Sequence, residues 1–132
     1  MSAARYAIVF DGGSKGNPGL GYGSYRLREA DGAWAPAVRL EFGDKVTNNE
    51  AEYRSLIAAF QRLASDCGDP SAVRVEVFGD SQLVLKQLAG QWKVRAGNLA
   101  PLWREARAAA GRFAGVTYTW QPRGRSVDLL GH

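Results

Sequence analysis

The feature that most constrains this chain is one apolar run that ends on a carboxylate. Residues 5–11 read Arg5-Tyr6-Ala7-Ile8-Val9-Phe10-Asp11 and pass directly into Gly12-Gly13-Ser14-Lys15-Gly16-Asn17-Pro18-Gly19. A short run rich in β-formers and bounded by turn residues predicts a buried strand. A charge at the end of such a strand is costly unless it is paired, hydrogen-bonded or holding a metal. Asp11 is therefore the first candidate functional residue, and residues 12–19 are expected to turn the chain.

The rest of the pattern predicts a mixed sheet. Residues 21–28 and about 33–42 read as second and third strands joined across Ala30-Asp31-Gly32, with Trp34, Val38 and Leu40 as core contacts of the third. Gly43-Asp44-Lys45 is expected to break that strand, and Thr47-Asn48-Asn49 to start a helix. Tyr53, Leu56, Ile57, Phe60, Leu63 and Ala64 then recur at helical spacing until Gly68-Asp69-Pro70 stops them. Val73, Val75, Val77 and Phe78 form a fourth strand that ends in Gly79-Asp80, followed by a short helix over residues 81–88. A third helix carries Leu99, Leu102, Trp103, Ala106, Ala110 and Phe113, with Pro101 in its first turn, and residues 116–120 form a fifth strand. Meandering strands followed by helix-linked strands predict an α/β fold with helices packed on a mixed sheet. At 132 residues, 1–132 is one domain.

Composition narrows the setting. Cys67 is the only cysteine, which excludes an internal disulfide and points to a reducing, cytoplasmic compartment. The first apolar run is too short for a signal peptide and no stretch approaches a membrane span, so no membrane partner is expected. The net charge of +4 is unevenly placed. Nine Lys/Arg oppose eleven Asp/Glu up to residue 85, and eight oppose two beyond it, so an acidic part is followed by a basic one. That division suits a polyanion held beside bound cations, or else a solvated basic face.

Sites on such sheets form at the carboxyl ends of strands, where Asp11 and Asp80 both fall if the first and fourth strands are neighbours. Glu50 and Glu52 open the first long helix. Gathered carboxylates repel unless they share protons or bind hard cations, and such a cluster can hydrolyse a phosphodiester. Each Asp has the alternative use of capping a turn or helix. Thr47-x-x-Glu50 matches a capping box, yet both glutamates lie at the edges of the apolar stripe, and periodicity does not choose between them. Trp92 and Trp103 are expected to pack.

Three segments, Phe10-Asp11-Gly12-Gly13-Ser14-Lys15-Gly16-Asn17-Pro18-Gly19, Thr47-Asn48-Asn49-Glu50-Ala51-Glu52-Tyr53 and Gly79-Asp80-Ser81-Gln82-Leu83-Val84, together resemble type 1 ribonuclease H. Gln91-Trp92-Lys93-Val94, Asn98-Leu99 and Trp120-x-Pro122-Arg123 continue the likeness in family order. The resemblance implies a ribonuclease H-like fold, a five-stranded mixed sheet flanked by helices. It implies cleavage of the RNA strand of RNA–DNA hybrids, to 5′-phosphate and 3′-hydroxyl ends, by two Mg2+ or Mn2+ ions on four acidic positions. Asp11, Glu52 and Asp80 match three of these, which returns Glu50 to capping. It also implies minor-groove contacts from Asn17, Asn48, Asn49 and Gln82 and a DNA phosphate contact from Thr47. The stretch over residues 91–98 is too short for the extra basic helix that some members insert there, so hybrid affinity is expected from Lys86, Lys93 and Arg95.

The chain departs from the family near its end. Relatives read Pro-Arg, two residues, Asn, two residues, Ala-Asp, whereas Pro122-Arg123-Gly124-Arg125-Ser126-Val127-Asp128 reaches its Asp two positions early and without the Asn. Asp128 is the carboxylate left for the fourth position. The family's C-terminal helix is expected to be absent, leaving a monomer or, if another subunit supplies that packing, a dimer. No His lies between Trp120 and Asp128 to take the product-release role seen in some relatives. Two other functions fit the same residues: a non-catalytic hybrid-binding module, and a nuclease of this fold acting on other nucleic acids.

Overall fold

The computed structural model describes residues 4–124. Asp128 and the expected missing C-terminal helix lie outside the described residues. Nine elements follow in order: β1 (Ala4–Lys15), β2 (Gly19–Glu29), β3 (Val38–Val46), α1 (Asn48–Asp66), a short 3-10 turn (Pro70–Ala72), β4 (Val73–Gly79), α2 (Gln82–Leu88), α3 (Ala100–Ala110) and β5 (Gly115–Trp120). The strands form one sheet in the order β3-β2-β1-β4-β5. β1–β2 and β2–β3 pair antiparallel, and β1–β4 and β4–β5 pair parallel. The expected mixed sheet is present, with β1 beside β4 as the two carboxylates require.

Strand alternation divides the sheet into two faces. Ile8 and Phe10 of β1 and Val73, Val75 and Val77 of β4 join Leu56, Phe60 and Leu63 of α1 in one core. The stripe read from the sequence, from Tyr53 to Ala64, is buried throughout. Each of those larger side chains contributes roughly 1.5–3 kcal/mol by leaving water. α3 closes the core through Leu99, Ala106 and Phe113, the last with its ring centroid 5.8 Å from that of Phe60. No helix among the described residues is long and apolar enough to cross a membrane.

Three boundaries differ from expectation. The glycine-rich stretch is mostly strand: β1 continues to Lys15, paired with Leu20, so only residues 16–18 turn. Gly43-Asp44-Lys45 does not end β3 but bends it. The β2–β3 register shifts on both sides of Gly21, which faces Gly43, and Gly43 and Lys45 take φ values of +82° and +60°. Trp34 is not a core contact of β3, which begins at Val38; it sits half-buried in the preceding loop under the Arg28 guanidinium, 4.5 Å from the ring centroid.

One close approach sets the geometry of the whole molecule. A Cβ on Gly12 would lie 2.6 Å from the backbone of Ala51 and Glu52, so α1 rests directly on β1. Gly23, the ladder partner of Gly12, leaves room for the Ser55 hydroxyl, which donates to the Ala51 carbonyl at 2.8 Å. Gly12→Ala should therefore lower stability by about 1–3 kcal/mol, the usual cost of overpacking against backbone that cannot give. Gly97→Ala, where nothing lies within 4 Å, should change it by less than about 0.5 kcal/mol in the same urea titration.

Candidate metal and nucleic-acid site

The parallel ladder between β1 and β4 ends at Val9 and Phe78, while β1 goes on pairing with β2 through Asp11 and Ser24. Asp11 thus lies in β1 just past the point where β4 stops pairing with it, and Asp80 follows the last residue of β4. Two carboxylates come off neighbouring strands at the same end. Glu52, in the first turns of α1, is carried to them by the Gly12 contact. Thr47 and Glu50 meanwhile exchange both capping-box bonds: the Thr47 hydroxyl accepts from the Glu50 N–H at 3.1 Å, and Glu50 Oε1 accepts from the Thr47 N–H at 2.9 Å. The choice that periodicity left open is resolved physically, with Glu50 capping and Glu52 facing the carboxylates.

Electrostatics mark Glu52 as the strained member. Burial, first, pushes its carboxyl up to about 8, and the negative charges of Asp80 and Asp11 add to that rise. A hydrogen bond from Ser81 and the positive charge of Arg123 act in the opposite direction. Oε2 of Glu52 is buried and has no hydrogen-bond partner. Asp11 is itself only 7% exposed and accepts from the Gly12 N–H at 2.9 Å.

Ser81 has two uses. Its oxygen caps α2 by accepting from the Val84 N–H at 3.2 Å, which leaves its proton for Glu52. The segment after β5 is tied alongside: the Trp120 indole N–H donates to the Asp80 carbonyl at 3.1 Å, and the Gln121 N–H donates to the Gly79 carbonyl at 2.9 Å.

Among the described residues, no three His, Cys, Asp or Glu side chains are drawn close enough to form a finished metal cage. The three carboxylates nevertheless fit a hard divalent cation. Their donor atoms are all oxygen, the charges of Asp11 and Asp80 bear on Glu52, and Glu52 holds an orphaned oxygen in shielded surroundings.

Beside the carboxylates, the β1–β2 turn is locked onto the start of α1. Asn48 Oδ1 accepts from the Ser14 N–H at 2.7 Å, and Asn17 Oδ1 accepts from the Asn48 N–H at 2.9 Å. Backbone donors can pair only with the amide oxygens, so they fix which way both side chains point. The structure brings Asn17, Thr47 and Asn48 together. No contact among the described residues ties Asn49, Gln82 or Lys93 to that group. Asn49 is half-buried on α1, and Gln82 is exposed at the start of α2 beside Ser81. Lys93 is exposed in the loop after α2.

Sequence reasoning missed Gln87. It is buried, and its Oε1 accepts from the Tyr53 hydroxyl at 2.6 Å. Its Nε2 donates to the Lys93 carbonyl at 3.4 Å, and its own carbonyl accepts from the Trp103 indole at 3.1 Å. One residue thus joins four parts: its side-chain amide links α2 to α1 and to the loop carrying Lys93, and its main-chain carbonyl links α2 to α3. The available signal was a polar residue between Val84 and Leu88 on an inward face, which must find partners. Trp103 packs as expected, but Trp92 does not: it is 44% exposed, with the Lys86 ammonium 4.9 Å from its ring centroid.

The raised Glu52 carboxyl makes stability depend on pH. Between the ordinary value of 4.5 and about 8, the native side chain keeps a proton that the unfolded chain releases. Stability therefore falls as pH rises through that window and stays reduced above it. In EDTA, Glu52→Gln should be more stable than wild type by at least about 1 kcal/mol at pH 8 and equal to it at pH 4.5. Equal thermal melts at both pH values would contradict the assignment.

A model of the reverse transcriptase-like family matches residues 9–127. The chain is 39% identical over 122 residues to ribonuclease HI of Halobacterium salinarum, covering 90% of this chain and 57% of that protein. It is also 39% identical over 124 residues to the bifunctional protein Rv2228c of Mycobacterium tuberculosis, covering 93% and 33%. This chain thus spans a third to somewhat over half of those relatives' lengths. The crystal structure of the Halobacterium salinarum RNase H1 superposes with a TM-score of 0.83 at 37% identity, covering 92% of this chain and 89% of that one. The N-terminal RNase H domain of Rv2228c gives 0.85 at 34%, covering 98% and 95%. LC11-RNase H1 in complex with an RNA/DNA hybrid gives 0.84 at 27%, covering 93% and 89%. With the sheet order, the carboxylates and the asparagine-locked turn in place, the chain belongs to the type 1 ribonuclease H family.

Proposed function

We propose that this chain is a divalent-metal-dependent endoribonuclease that hydrolyses the RNA strand of RNA–DNA hybrids, leaving 5′-phosphate and 3′-hydroxyl ends. One observation carries the reading: the charges of Asp11 and Asp80 bear on Glu52, and Glu52 keeps a buried, unpartnered oxygen. Relatives named as ribonucleases H, and a neighbour solved with an RNA/DNA hybrid, support the substrate class.

The chemistry supplied by bound Mg2+ or Mn2+, two ions per site, is neutralisation of phosphodiester charge and acidification of water. Asp11, Glu52 and Asp80 would hold these ions, with Asp11 serving both and Glu52 and Asp80 one each. Asp128, outside the described residues, is assigned the fourth position. Asn17 and Asn48 spend their amide oxygens on backbone N–H groups. Their NH2 groups are thereby the part left to offer to the acceptors of a hybrid minor groove, the 2′-hydroxyl oxygens among them. Asn49 and Gln82 take the same groove. Thr47 serves a DNA phosphate, while Lys93, Lys86 and Arg95 hold the backbone by charge.

A labelled hybrid incubated with Mg2+ or Mn2+ should lose its RNA strand, while plain double-stranded DNA and RNA stay intact and compete weakly. Asp11→Asn and Asp80→Asn should each reduce the rate by about 10^3-fold or more, several kcal/mol of barrier. Asp128→Asn should fall in the same range. Absence of RNA cleavage with either ion would sink the enzyme reading, and hybrid binding that survives Asp11→Asn without turnover before or after would leave a binding module.

A further inference from the structure

We propose that a pocket beside the carboxylates receives an unpaired nucleobase, on a strand that runs out of the hybrid duplex. This rests on the hybrid-nuclease reading. The pocket has a volume of about 360 Å³ and is lined by Arg28, Trp34, Phe78, Thr119, Trp120 and Pro122, together with Gln121. Strand alternation places Arg28 and Phe78 on the sheet face turned away from α1, flanking Ala7 and Val9 of β1. It is a different surface from the asparagine-locked turn.

Its chemistry is that of a stacking site. Three aromatic rings and a proline line it, no carboxylate among the described residues does, and Trp120 is 47% exposed. Arg28 lies over the Trp34 ring and has a buried Nε with no hydrogen-bond partner among the described residues. An arginine stacked on an indole, beside further aromatic rings, matches the side chains that hold single-stranded nucleic acid. Each base has a π-face, so such a site tolerates sequence.

The pocket is also pre-organised and coupled to the site. Arg26 fixes the Trp34 loop by donating to the Ala35 carbonyl at 2.7 Å and the Trp34 carbonyl at 3.3 Å. Trp120, on the opposite wall, is held by the Asp80 carbonyl. A base stacked here would therefore sit on the flank of Asp80, whose carbonyl holds Trp120 of the pocket wall. Fixed walls lower the ordering cost of binding.

The test measures binding without turnover. Protein in EDTA is titrated against a labelled blunt hybrid, and against the same hybrid with a short unpaired extension at either end of either strand. A parallel set carries abasic extensions. At least one base-bearing extension should tighten binding by about fivefold or more, and its abasic counterpart should not. Arg28→Met and Trp34→Leu should each bring the ratio of extended to blunt affinity back to about one. A gain kept by the abasic strands or by both variants would overturn the pocket, as would no gain for any extension. Failure of the blunt hybrid to be cleaved in Mg2+ would overturn the nuclease reading instead, and the EDTA comparison would still decide the pocket.

Discussion

The contact on which this structure depends is that between the backbone of α1 and the glycine pair of the sheet. Gly12 and Gly23 face each other on β1 and β2, and without side chains there the helix settles onto the strands. Two consequences follow together. The apolar stripe of α1 reaches the core, and Glu52 is delivered into surroundings already negative from Asp11 and Asp80. Packing energy from the stripe offsets the cost of placing a carboxylate where water is scarce. The same contact that stabilises the fold creates a charge problem, which a bound cation would relieve.

Around this point the rest of the molecule is tied by a few polar links. Asn17 and Asn48 join the hairpin turn to the helix start. Ser81 joins the cap of α2 to Glu52, and Trp120 holds the strand end that carries Asp80. Gln87 ties α1 and the Lys93 loop to α2 through its buried amide and α3 through its main-chain carbonyl. Each link uses a side chain the sheet geometry alone does not position. The acidic carboxylates and the basic later segment are thereby tied into one arrangement, the charge division a polyanion beside bound cations would suit.

Much of this was legible in the sequence, for identifiable reasons. The α1 stripe, the Thr47–Glu50 box, the strand ending at Gly79 and Pro101 in the first turn of α3 are local signals, and all are present. The extent of β1 was hidden because glycines read as turn residues, while here their missing side chains serve the approach of a helix. The third strand was misplaced because Gly43 and Lys45 signal a break, yet positive φ values allow a bend within a paired strand. Trp34 looked like core from its hydrophobicity, and its true partner, Arg28, comes from the neighbouring strand. Of the site, Asp11 and Asp80 were visible as strand-end carboxylates. Glu52 needed the family likeness, since its distinction from Glu50 is made by a tertiary contact. Gln87 was missed because no local rule names its partners.

The central claim is that the carboxylates around Glu52 await a divalent cation. Calorimetric titration of Mn2+ into the metal-free protein near pH 7, repeated in buffers of different ionisation enthalpy, tests it most directly. Glu52 holds its proton below about 8, so ion binding should release close to one proton per molecule. Glu52→Gln should bind more weakly and release almost none. Binding with no proton release in the wild type, or no binding at all, would contradict the account.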